Sequence, residues 1–308
     1  MQPRLTDDSL VLHWERMDFH RSYVADAVRN DCYAAALDRH ARGRTVVDVG
    51  SGTGILAMLA ARAGAAAVTG IEWSSLAETA ARAVADNGLD DRVEIVRGDA
   101  RDFTRSQRAD LIVHDLIGSF VWDENALDVM RGMRDRVLVS GGRIIPGVVE
   151  LHIVPITWPD RIRFREFWAR PHAGLNLSAF LGRDRQFAPA DGPTVVHLGD
   201  DACLLAEPSC AAITDFAADE TLPPAVTRHF TMARSDHLDA VLGFLRIHFD
   251  DHVVLSTAPG QPATSWGQVV VPLAQGMPVR RGQEVAVTFT PALRGRAWTV
   301  DVTPNTNR

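Results

Sequence analysis

Thr45-Val46-Val47-Asp48-Val49-Gly50-Ser51-Gly52-Thr53-Gly54 sets a short apolar, β-branched run against glycine at every second position, and residues 55–63 continue at helical spacing. A strand, a tight turn and a helix follow from that pattern. Glycine carries no Cβ, so this turn can be sharp and its backbone can approach a ligand closely. The first N–H groups of the helix beyond it then face outward to an anion. Further apolar runs at 68–71, 93–96, 111–113 and 137–139 alternate with helical stretches, which predicts a parallel sheet covered on both faces. Upstream, residues 23–37 read as one amphipathic helix leading into this core.

The character changes after Ile145-Pro146-Gly147. Strand-like runs at 148–154, 241–249, 253–257, 268–272, 284–290 and 297–302 are punctuated by proline and glycine, predicting an antiparallel sandwich or barrel. We expect an α/β chain: a Rossmann-like domain over 1–146 and a β-barrel domain over 147–308. Residues 161–181 read instead as a helical arm. Its Phe164, Phe167 and Trp168 are candidates for burial in a partner subunit, and Arg161, Arg163, Arg165 and Arg170 form its polar face.

A net charge of −7 argues against a broad basic surface for nucleic acid. The sequence contains no lysine, which excludes a Walker-type phosphate loop and Schiff-base chemistry with pyridoxal phosphate. Cys32, Cys203 and Cys210 are widely spaced and form no C-x-x-C pair, as expected in a reducing cytoplasm. No run approaches the ~18 apolar residues of a membrane span. We therefore expect a cytoplasmic protein with neither nucleic acid nor membrane as partner.

Glu72 ends the second apolar run, where a carboxylate can accept both ribose hydroxyls of a bound nucleoside. Asp99 follows the third run, with Ala100 beside it, and is placed to receive an adenine amine; a solvated loop acid is the plain alternative. The dinucleotide fingerprint wants its third glycine or an alanine where this chain has Ile55, which disfavours a nicotinamide cofactor against S-adenosylmethionine (SAM).

The segment VVDVGSGTGILAMLAARAGAAAVTGIEWSS resembles the cofactor signature of the protein arginine methyltransferases, and His20-x-x-Tyr23-Val24-x-Asp26-x-Val28-Arg29-x-x-x-Tyr33 resembles the helix that folds over the cofactor in that family. The resemblance extends through a barrel to the final strands. It implies SAM as methyl donor and S-adenosylhomocysteine as product, bound by His20, Arg29, Asp48, Gly50, Gly52, Gly54, Glu72, Asp99 and Ala100, with Arg29 on the methionine carboxylate. Asp115 and Glu124, nine positions apart, resemble the family's two glutamates that grip the substrate guanidinium, although the first is one methylene short. Gly174-Leu-Asn-Leu-Ser178 resembles part of the dimerisation arm, which implies a homodimer. Thr264-Ser265-Trp266 stands where the family has threonine, histidine and tryptophan, and Leu10 and Trp14 stand where it has a two-tyrosine motif. Trp14, Tyr23, Ser265 and Trp266 are the candidate acceptor-binding residues.

A guanidinium is charged near neutral pH and offers donors in a planar fork, which suits two carboxylates. The acceptor implied is an arginine in a protein or peptide, or a small guanidine metabolite. The altered Asp115 and Ser265 and the missing tyrosines leave open a different acceptor, such as an amine, an imidazole or a hydroxyl. A non-catalytic SAM-binding scaffold and, less well supported, a nicotinamide oxidoreductase also stay open.

Overall fold

The computed structural model describes residues 17–118, 126–181, 194–200, 203–218, 225–290 and 299–304. The first half lays out α1 (Met17–Ala25), α2 (Ala27–His40), β1 (Thr45–Val49), α3 (Ile55–Arg62), β2 (Ala67–Glu72), α4 (Leu76–Asp86), β3 (Val93–Arg97), β4 (Ala109–His114), α5 (Ala126–Val137) and β5 (Leu138–Ile145). The single helix expected over 23–37 is instead two. Asp26 ends α1 and caps α2, its Oδ1 accepting the Arg29 backbone N–H at 2.9 Å. Helical periodicity is blind to such a break because the apolar face continues across it.

The five strands are parallel and ordered β3-β2-β1-β4-β5. The chain moves outward from β1 to β3, then crosses back to β4 on the other side of β1. The ends of β1 and β4 therefore flank a topological switch point, where a crevice opens outside the sheet. Val49 pairs with His114, so Gly50 and Asp115 leave the sheet side by side. Val46, Val47, Leu111, Ile112 and Val113 are fully buried, which holds these two strand ends rigid.

The second half contains β6 (Val148–Ile156), α6 (Pro159–Ala169), β7 (Thr194–Val196), β8 (Ser209–Asp215), β9 (Val226–Thr231), β10 (Asp236–His248), β11 (Val254–Ser256), β12 (Gln268–Val279), β13 (Glu284–Thr290) and β14 (Thr299–Pro304). One antiparallel sheet runs β7-β12-β10-β6-β8, with β11 on β10, and a second runs β14-β13-β9. β9 lies beside β8 and β14 beside β12, giving a barrel-like closure. Strands β7, β8 and β9 escaped the sequence reading: β7 is only three residues long, and Arg228 and His229 interrupt the apolar character of β9. The helix expected to reach residue 181 ends at Ala169. Pro171 forces Arg170 out of helical geometry, to φ −93 and ψ 148.

Polar contacts and one aromatic contact bind α2 to the barrel. Arg39 Nε and His40 Nε2 reach Asp250 Oδ2 at 2.8 and 3.0 Å, and Tyr33 meets Phe249 edge-on with centroids 4.8 Å apart. Burial acts to raise the Asp250 pKa, but Arg39, His40 and the N–H groups of His252 and Val253 hold it well below the usual carboxylate range. A further contact belongs to the site itself.

Candidate active site

Gly50, Gly52 and Gly54 take φ of +73, +54 and +79, the left-handed region that side chains disfavour. Gly50 N and Ser51 N both donate to the Ile71 carbonyl, at 3.0 and 2.9 Å. Glu72 is buried at the loop's base, accepting from Gly52 N at 2.8 Å and Ser74 N at 2.9 Å. It shapes the glycine turn, and each oxygen keeps a further lone pair for a hydroxyl donor. Gly54 opens α3 with no side-chain cap, which suits the helix start to a carboxylate.

Asp48 lies fully buried beneath this loop. Its Oδ2 accepts from Ser51 Oγ at 2.6 Å and Ala57 N at 3.1 Å, while Oδ1 has no hydrogen-bond partner among the described residues. Burial outweighs those donors and pushes the Asp48 pKa up to about 7. The folded protein then holds this proton at pH values where the unfolded chain has released it. The resulting stabilisation is full below the unfolded value of ~4 and drains away as pH rises to the folded one. Asp48→Asn is expected to flatten the fall in stability across that window, measured by urea denaturation of cofactor-free protein. An unaltered pH slope would place the titration elsewhere.

Across the crevice, Arg29 is buried and its Nε donates to Asp115 Oδ2 at 2.9 Å, with Nη2 on the same oxygen. Tyr33 Oη donates to the His114 carbonyl at 2.7 Å and lies 3.2 Å from Asp115 Oδ1. The rings of Tyr33, Tyr23 and Trp266 stand 4.9, 5.7 and 5.9 Å from the Arg29 guanidinium carbon. Burial opposes the charge on Arg29, yet Asp115, Tyr33 and Asp26 hold its pKa above the ordinary value. For Asp115, burial wins over Arg29 and the carboxyl is raised. Asp26 Oδ2 accepts from Ser265 N at 2.6 Å and Ser265 Oγ at 3.0 Å. That contact carries the barrel onto the start of α2.

The methyltransferase domain family matches residues 46–142, and the arginine methyltransferase oligomerization subdomain matches residues 200–302. Protein arginine N-methyltransferase 1 of Chlamydomonas reinhardtii is 32% identical over 278 residues, spanning 87% of this chain and 78% of that protein. This chain belongs to the protein arginine N-methyltransferases. A probable histone-arginine methyltransferase 1.3 of Arabidopsis thaliana is 30% identical over 310 residues, and the chain spans 56% of its length. Among solved structures, the Trypanosoma brucei arginine methyltransferase 1 enzyme–prozyme heterotetramer with AdoHcy superposes with a TM-score of 0.81 at 24% identity, covering 96% of this chain and 95% of that one. The Arabidopsis thaliana arginine methyltransferase 10, in an open conformation, gives 0.80 at 20% identity, covering 96% and 99%. Both share the fold, and SAM is the cofactor of this methyltransferase.

The residues expected at the cofactor fall into two groups. His20 packs against Gly52, where an added Cβ would meet its ring at 3.1 Å, and Leu116 lies equally close to Gly50. Together with Asp48 and Glu72 they surround the glycine loop, and Arg29 stands across the crevice. Asp99 differs: Arg101 binds it through Nε, Nη2 and backbone N, and lowers its pKa against the effect of burial. Ala100 gives its carbonyl to Arg136 Nη2 at 3.0 Å. Tyr23 and Trp266 gather around Arg29, and Ser265 serves Asp26. Glu124 and Trp14 lie outside the described residues.

In this methyltransferase the sequence reading gave no role to Asp26, Tyr33 or His114. An aspartate just ahead of the helical run from Ala27 was a legible capping signal, its side chain accepting the Arg29 backbone N–H. Its partner Ser265 is 239 residues away, beyond any local pattern. His114 is fully buried against Phe216, and burial pushes its pKa down to about 4 despite the Pro146 carbonyl. Its Nδ1 accepts Leu116 N at 3.3 Å, so the proton sits on Nε2, 3.2 Å from Pro146 O. A neutral imidazole thus ties the backbone just after Asp115 to the turn between β5 and β6.

Proposed function

We propose that this methyltransferase places a methyl group on a guanidino nitrogen of an arginine, in a protein or peptide or as a small guanidine metabolite. The observation that carries this reading is the box around Arg29. A carboxylate and three aromatic faces already enclose one guanidinium, the chemistry an acceptor arginine requires. Asp115 Oδ2 is committed to Arg29. Its Oδ1 edge, with Glu124, is what we assign to the acceptor.

The donor fits the residues present. Arg29 and the uncapped start of α3 suit the methionine carboxylate, and Glu72 suits the ribose hydroxyls. When bound, SAM supplies an electrophilic methyl on its sulfonium. The chain's own contribution is orientation: one acceptor nitrogen is held facing the methyl, its proton leaves during or after transfer, and water is excluded. Charge concentrates on the nitrogens that the two acids hold.

Labelled-methyl transfer to peptide and metabolite pools, with mass spectrometry locating the label, tests the acceptor. A guanidino nitrogen is the expected site. Label only on an amine, imidazole or hydroxyl would replace this reading with the second one, which Ser265 in place of the family's histidine favours. Glu124→Gln is expected to lower turnover on the order of 100-fold while sparing SAM affinity. Unchanged turnover would remove the acid pair from the mechanism.

We also propose a homodimer working in the cytoplasm. Phe167, Leu175 and Phe180 of the arm are 52%, 64% and 47% exposed, and Trp168 stacks on Phe180 with centroids 4.7 Å apart. A monomeric mass by sedimentation over a wide concentration range would sink the dimer.

A further inference from the structure

On the sheet of the barrel, away from the glycine loop, four metal-ligating side chains converge from three neighbouring strands. Glu150 and His152 lie on β6, His248 on β10 and Cys210 on β8. In an antiparallel pair Glu150 and His152 share one face, being two residues apart. Cys210 joins them through an irregularity. Ala212 pairs with Leu151, but the register then shifts and His152 pairs with Cys210. Ala211 is the extra residue, and such a bulge re-aims the side chains beside it. The result brings one ligand atom each of Glu150, His152 and Cys210 within 4.8 Å of one another.

The carboxylate is held by both histidines, Oε2 at 2.7 Å from His152 Nε2 and Oε1 at 2.8 Å from His248 Nε2. The His152 ring is fixed in turn by stacking on Phe244, 5.3 Å away and 12° from parallel. Side-chain exposures of 18% for Glu150 and 19% for His152 leave the cluster within reach of solvent while restricting its motion. Arg228, the cation beside Cys210, is committed to the carbonyls of Cys210, Ala211 and Thr227.

We propose that Glu150, His152 and Cys210 form a site for a divalent transition-metal ion of the zinc class, with His248 orienting the carboxylate and water completing a four-coordinate shell. The donor set selects the metal. Thiolate and imidazole favour borderline-soft ions, whereas magnesium and calcium demand oxygen ligands. Charge also balances: a dication with one thiolate, one carboxylate and one neutral imidazole carries no net charge into a half-buried setting. The metal–sulfur bond forms as the Cys210 thiol gives its proton to the buffer. His248 is the outer partner that such carboxylate ligands use. Binding would clamp β6 to β8 at their bulge.

Cobalt(II) titrated into the full chain in chelator-treated buffer tests this site. Expected are visible d–d bands of tetrahedral cobalt and a near-ultraviolet thiolate-to-cobalt charge-transfer band, with zinc displacing both. Cys210→Ser should abolish the charge-transfer band, and His248→Gln should weaken cobalt binding about 10- to 100-fold. In the wild-type chain, zinc should protect Cys210 but not Cys32 from alkylation, read by peptide mass spectrometry. That measurement decides the matter even where Cys210→Ser fails to fold. No charge-transfer band, a band that survives in folded Cys210→Ser, or equal alkylation with and without zinc would overturn the proposal.

Discussion

Arg29→Ala is expected to weaken SAM binding by roughly 10- to 150-fold, the equivalent of one charge-assisted hydrogen bond worth about 1.5–3 kcal/mol, and to cost about 3 kcal/mol of stability. Both effects follow from where the guanidinium sits. It is buried, it bonds Asp115 through two nitrogens, and its Nη1 reaches Asn30 Oδ1 at 2.6 Å. Removing it takes the cation from the proposed carboxylate site and leaves Asp115 in a pocket where burial already raises its pKa. Asp115 then stays protonated to higher pH, losing the charge it would offer an acceptor. Arg29→Lys should restore part of the stability but little of the affinity, because an ammonium cannot reproduce the planar fork. Calorimetric SAM titration and urea denaturation read the two losses separately. Full SAM affinity in Arg29→Ala would detach Arg29 from the cofactor while leaving its structural pairing intact.

Gly70→Ala is expected to destabilise the chain by roughly 2–5 kcal/mol, combining overpacking with loss of a buried hydrogen bond, and to abolish SAM binding. Gly70 sits in the middle of β2, paired with Asp48 on one side and Ile95 on the other. An added Cβ would lie 2.3 Å from Ser51 Oγ and 2.6 Å from Ile95 Cδ1. Ser51 cannot yield without giving up its bond to Asp48, whose other oxygen has no partner among the described residues. The shift would pass directly into the glycine loop, since Ser51 N is anchored on Ile71. A urea midpoint and SAM affinity equal to wild type would show that Ser51 has room to move. Gly88→Ala makes a useful contrast: nothing lies within 4 Å of its Cβ, so any cost there reflects only a φ of +64.

The parts of the site readable in sequence were those whose chemistry is local. Gly50, Gly52 and Gly54 announced the turn because only a residue without Cβ tolerates that backbone, and Glu72 announced itself by ending the next strand. Asp99 follows a strand, as its place in the sequence implied, and its carboxylate bonds Arg101, two residues on. Missed were the break at Asp26, the end of the arm helix at Ala169 and the strands β7, β8 and β9. At Asp26 and Ala169 a cap and a proline altered the backbone without disturbing the wider apolar pattern, whereas in β9 polar residues broke the pattern itself.

Sequence by itself determined the two fold classes, the change of character after Gly147, the family and the donor loop, all consequences of apolar periodicity and glycine spacing along a continuous stretch. Tertiary structure alone decided that Arg29 and Asp115 bind each other, that Ser265 closes on Asp26, and that Glu150, His152 and Cys210 meet. Those contacts span 86, 239 and about 60 residues of chain. They arise from strand order and register, from the crossover that sets β4 beside β1 and the bulge that shifts β8 along β6. No local pattern encodes which distant residue will arrive opposite.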